Sequence, residues 1–223
     1  MSFFGTILLI TAKDLRTELR ARTGALTVVL FALVVVTLFH FTFDLAAVRF
    51  EVVGPGLIWV AIAFAALLGL QASFARERDA LAGLLLSGAD PAALFFGKAL
   101  AALVVLLAAE AALLPVAAIL FGADLRPALG PLAVVLALHS AGLAIVGTLF
   151  AALAQRLRRG FLLLPVLQFT LTVPLLMSAV RATGGVLGSS TLDGAGVWLR
   201  VAVAYDMVFA AAAALLFETL LED

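Results

Sequence analysis

Long, unbroken apolar runs joined by short charged connections dominate the chain. Six of them, Ala25–Phe43, Gly56–Phe74, Leu94–Phe121, Leu132–Leu153, Phe161–Val180 and Leu199–Leu220, are near or above the roughly 20 residues a helix needs to cross a hydrocarbon core. Their apolar residues are continuous rather than alternating, which excludes barrel strands. The pattern predicts an all-α membrane protein with six transmembrane helices in a single transmembrane domain, residues 1–223.

The first segment, residues 2–23, differs in kind. Phe4, Leu8, Ala12, Leu15 and Leu19 recur at helical spacing, while Lys13, Arg16, Thr17 and Arg20 fall elsewhere on the wheel. That is the pattern of an amphipathic helix lying in the cytoplasmic interface. The simpler alternative is a cytoplasmic extension of the first span. Gly24 is the expected corner between this helix and span one.

Composition agrees with a bilayer as solvent: 65% of the 223 residues are hydrophobic and the mean hydropathy is +1.24, against 45–50% apolar residues in ordinary soluble domains. The formal net charge is zero, which gives no reason to expect nucleic acid, and the absence of cysteine removes disulfides, thiolate metal sites and thioether haem attachment. The N-terminal apolar stretch has no basic region before it and does not read as a signal peptide. Lys13, Arg16, Arg20, Arg22, Arg76, Arg78, Lys98, Arg156, Arg158 and Arg159 fall on one side of the six-span scheme. Only Arg49, Arg126, Arg181 and Arg200 fall on the other. The positive-inside rule then predicts both termini in the cytoplasm.

Residues 75–93 form the most charged cytoplasmic connection. Arg76, Glu77, Arg78 and Asp79 are followed by a narrow apolar stripe, Leu81, Leu84 and Leu85, and then by Ser87-Gly88 and Asp90-Pro91. Asp90 is placed to cap a helix opening at Pro91. A short amphipathic helix of this kind inserts into a groove on a partner; a re-entrant loop with a solvated charge cluster is the competing reading.

Charged groups inside spans are costly. Glu110, His139 and Asp206 fall within predicted spans, with His40 and Arg200 near the outer boundary. They line a polar path or a dimer contact, or they form a structural network in which Glu110 is protonated or pairs with His139, and Asp206 pairs near Tyr205 or Arg200. Neither histidine carries a ligation motif for haem or metal. Trp59 and Trp198 read as interfacial anchors. The glycine-rich stretch Arg181–Val197 reads as a mobile outer connection.

Four passages together resemble a known family: Lys13-Asp14-Leu15 to Leu19, Gly54–Leu70, Leu81–Ala101 with its Leu-Leu-Leu-Ser and Gly97-Lys98, and Tyr205–Asp223. In order and spacing they are similar to the ABC-2 type export permeases, and among these to the haem exporter protein B family, CcmB, of cytochrome c maturation. The charged half of the 75–93 segment is shorter than the family's usual form, and Gly88 stands where proline is usual.

The resemblance implies a non-catalytic permease subunit of the bacterial inner membrane. It would pair with a second copy of itself and be driven by a separate ATP-binding subunit (CcmA-like), which would dock on Arg76, Glu77, Arg78, Asp79, Leu81, Leu84, Leu85 and Ser87. It also implies a haem-handling membrane partner (CcmC-like) and a periplasmic haem chaperone (CcmE-like). No cofactor would be bound permanently; haem would be transported or handed over. The chain itself carries no phosphate-binding loop of the G-x-x-x-x-G-K-[ST] type. Outside that family the same layout would serve a generic exporter of lipid, glycan or drug, or a scaffold that anchors an ATPase.

Overall fold

The structure is a computed structural model that describes residues 2–21, 23–42, 49–76, 90–156 and 163–222. All regular structure among these residues is helical. Seven α-helices run α1 (Phe3–Ala21), α2 (Thr23–Thr42), α3 (Phe50–Arg76), α4 (Pro91–Phe121), α5 (Leu129–Arg156), α6 (Leu163–Ser189) and α7 (Gly196–Glu222), with one 3₁₀ turn at Arg126–Ala128. Among the described residues, α3 to α7 are each long and apolar enough to cross a membrane, while the apolar part of α2, Leu26–Thr42, is shorter. Gly24 lies inside α2 rather than at the corner, because α2 already opens at Thr23.

Local chemistry explains several boundaries. Asp90 caps α4: its Oδ1 accepts from the backbone N–H of Ala92 at 2.8 Å and of Ala93 at 3.2 Å, and Pro91 occupies the first turn, where a missing N–H costs no intrahelical bond. At the other end, Gly122 takes the left-handed conformation (φ 62°) and its N–H bonds back to the last turn, the usual glycine stop. Pro55, Pro115 and Pro174 lie inside helices that continue through them.

Helix α5 is the hub and packs against α3, α4, α6 and α7; α2 lies across α3 and α4, and α1 lies against α4. The interior is built from small residues and branched aliphatics, among them Ala61, Ala65, Ala109, Ala144, Ala179 and Val135, all buried. Small side chains let helix backbones approach, which is how helices associate where lipid removes most of the hydrophobic drive. A Cβ added to Gly69 would collide with Val28, one on Gly147 with Leu70, and one on Gly142 with Asp206 and Leu175.

The mobile outer connection expected at Arg181–Val197 is not what forms. Helix α6 continues to Ser189, and Ala182, Thr183 and Val186 are fully buried along it. Gly185 and Gly194 touch backbone to backbone, a Cβ on Gly185 falling 2.6 Å from the Gly194 carbonyl oxygen. Of the glycines that suggested flexibility, Gly185 and Gly194 act here as close-approach positions.

Candidate functional site

Two groups of polar side chains stand out within the apolar bundle. The first joins α1 to the beginning of α4. Ile7, Ile10, Thr11 and Asp14 share one face of α1. Thr11 Oγ1 donates across to the Gly97 carbonyl at 3.0 Å as well as to its own Ile7 carbonyl at 2.9 Å, two acceptors sharing one hydroxyl proton. Gly97 is required by this contact: a Cβ there would lie 2.8 Å from Ile10 and 3.1 Å from the Ile7 carbonyl oxygen.

One residue further along α4, Lys98 Nζ reaches Asp14 Oδ2 at 3.1 Å, with Lys98 only 4% and Asp14 9% exposed. Lys13 Nζ sits 2.8 Å from the other oxygen, Oδ1, a charge contact without hydrogen-bond alignment. Asp14, Glu18 and Lys98 border a small, partly open cavity of about 50 Å³ lined by α1 to α4. Thr11–Gly97 and Asp14–Lys98 thus clamp α1 to the second turn of α4. That helix is the direct continuation of the charged 75–93 segment.

The second group is a layer of polar side chains across α3 to α7. Trp59, Glu110, His139, Ser140, Ser178, Thr183 and Asp206 each lie about two to three turns of 3.6 residues from the same end of the bundle. His139 Nδ1 bonds the Val135 carbonyl at 2.8 Å; a carbonyl only accepts, so Nδ1 carries the hydrogen. Its Nε2 meets Ser178 Oγ at 3.1 Å, and Ser178 also reaches the Leu175 carbonyl at 2.8 Å. The His139 ring packs on Trp59 with centroids 5.5 Å apart, and Trp59 Nε1 donates to Thr183 Oγ1 at 2.8 Å. On another face of α5, Ser140 donates to Glu110 Oε1. Among the described residues, Glu110 Oε2 and Asp206 Oδ1 have no hydrogen-bond partner.

These contacts correct several expectations. Glu110 pairs with Ser140 and not with His139, because neighbouring positions on α5 point them to different helices. The Tyr205 hydroxyl donates to the Leu171 carbonyl at 3.1 Å rather than serving Asp206, and Asp206 rests against Gly142. Among the described residues no ion pair joins Asp206 to Arg200, whose side chain is exposed. Trp59 is 1% exposed and bonded inside the bundle, so it is a core residue, not an interfacial anchor. Trp198 is half-buried against the core.

Arg76 ends α3, while Glu77, Arg78, Asp79, Leu81, Leu84, Leu85 and Ser87, the remaining residues of the expected ATPase-coupling stripe, lie outside the described residues. Among the described residues no group of three or more His, Asp or Glu side chains is arranged to hold a metal.

Asp14 as the partner of Lys98 was not anticipated. The available signal was an acidic residue on the face of α1 that otherwise carries Ile7 and Ile10, where an unpaired charge would be costly. Ser140, Ser178 and Thr183 gave none, since single hydroxyl residues in a membrane helix satisfy their own backbone as readily as a neighbour.

Together these features define a multi-pass helical membrane protein with an amphipathic helix clamped to one of its long apolar helices. The family model described as CcmB protein matches residues 5–218, and the chain belongs to that family. It is also 35% identical over 179 residues to the heme exporter protein B of Bradyrhizobium diazoefficiens, covering 78% of this chain and 79% of that protein.

Proposed function

We propose that this protein is the permease subunit of an ABC-type exporter that serves haem delivery in cytochrome c maturation. Membership of the CcmB family carries the reading, and the name of the Bradyrhizobium relative supports haem as the cargo or the ligand handed over. In this reading α2 supplies a sixth span, both termini are cytoplasmic, and the protein acts as a homodimer in the inner membrane.

A separate ATP-binding subunit grips residues 75–93 and supplies the energy. The mechanical consequence follows from the clamp. A push on residues 75–93 reaches α4 at its capped N-terminus, and the Asp14–Lys98 pair makes α1 move with it. Buried ion pairs resist separation because breaking one strands a charge in a poorly solvating interior. Helices α1 and α4 therefore shift as one body, and the hub helix α5 receives the displacement from α4. The haem-handling membrane subunit and the periplasmic chaperone take up the result on the outer side.

The test is cytochrome c assembly in cells lacking the gene. Haem-stained c-type cytochromes are expected to disappear and to return with the wild-type gene on a plasmid. Normal assembly in the deleted strain would refute the haem reading.

A further inference from the structure

The outward faces of α1 carry a separate message. Its acidic residues Asp14 and Glu18 border the cavity inside the bundle. Lys13, Arg16 and Arg20, spaced i, i+3 and i+7, share a different face. With Leu9, Ala12 and Thr17 they line a surface groove of about 420 Å³. Arg16 and Arg20 are exposed and meet no carboxylate among the described residues.

The Thr17 hydroxyl already donates to the Lys13 carbonyl at 3.0 Å, and Lys13 is engaged with Asp14. The groove's recognition chemistry is therefore the pair of guanidinium forks, one helical turn apart. Alongside runs an apolar row, with Phe4 75%, Leu8 63% and Leu19 74% exposed. On a membrane protein such a row is covered by acyl chains, and the basic face next to it is held at headgroup depth.

We propose that the Arg16–Arg20 groove binds the phosphate of an anionic phospholipid whose acyl chains lie along Leu19 and Leu8. Guanidinium groups bind phosphate oxygens through paired N–H donors, which a lysine point charge does not reproduce. The apolar row beside the groove favours a lipid over a soluble phosphate or an acidic protein surface. The proposal rests on the geometry of α1 alone and is independent of what the protein transports.

Native mass spectrometry of the full chain in detergent, with phosphatidylglycerol or phosphatidylcholine added, tests it. Wild type is expected to retain phosphatidylglycerol about thirtyfold better than phosphatidylcholine, from two interfacial cations. R16Q/R20Q should bring the ratio close to one, and R16K/R20K should fall between. R126Q, a charge loss elsewhere on an exposed surface, should leave the ratio as in wild type. Circular dichroism and a monodisperse elution profile confirm that the variants fold.

An unchanged ratio in folded R16Q/R20Q overturns the proposal, and so does an equal loss in R126Q, which would mean diffuse attraction. Equal retention of glycerol 3-phosphate would assign the groove to soluble phosphates instead. Loss of a co-purifying ATP-binding subunit with lipid retention intact would assign it to protein docking.

Discussion

Asp14 and Lys98 are both almost wholly withdrawn from solvent, so removing either one weakens the compensation of a charge held in a poorly solvating interior. Lys98→Met is expected to destabilise the purified protein by roughly 3 kcal/mol, the lower end for breaking a buried pair, since Lys13 still faces Asp14. The double variant D14L/K98M should be closer to wild type than K98M alone. Thermal unfolding in detergent across the four-member cycle reads the coupling directly. One position earlier, Gly97→Val pushes a side chain against Ile10 and the fixed Ile7 carbonyl, at a cost of about 1–3 kcal/mol for overpacking. Faster hydrogen exchange in α1 should accompany it. In the polar layer, Trp59→Phe keeps the ring on His139 but removes the donor to Thr183. A loss of about 1 kcal/mol is expected from the missing hydrogen bond, measured by the same unfolding assay.

At the scale of helices, most of the architecture was legible because its causes are local. An apolar run of about 20 residues announces a spanning helix by length alone, and Asp90-Pro91 announces a helix start by its chemistry. Helix α1 was readable from the period of Phe4, Leu8, Leu15 and Leu19. Partner choice was not legible. Asp14 and Lys98 are 84 positions apart, and which turn of α4 meets which face of α1 is decided by tertiary packing. The end of α6 was misread for a related reason. Glycine carries high flexibility in water, yet inside a helical bundle the lack of a Cβ at Gly185 is a packing asset. Substituting Gly185 by Leu forces the α6 end off the Gly194 backbone, and limited proteolysis should then cut between residues 186 and 196 several times faster than in wild type.

At the scale of the molecule, α5 sits where four helices meet, and most of the polar layer faces it. In the proposed function, a displacement that enters at the capped start of α4 is carried to α1 by the clamp and to α5 by direct packing. As the proposed permease, the protein is a transmitter, with energy entering from a second polypeptide at residues 75–93. The most direct measurement is affinity purification of the protein from its native membrane, with the bound ATP-binding subunit quantified for wild type and for L84D/L85D. Wild type is predicted to bring down that subunit in stoichiometric amount with ATPase activity, and L84D/L85D to lose most of it while still folding in the membrane. Recovery of folded wild-type protein with no ATP-binding subunit, or undiminished recovery with L84D/L85D, would contradict the account.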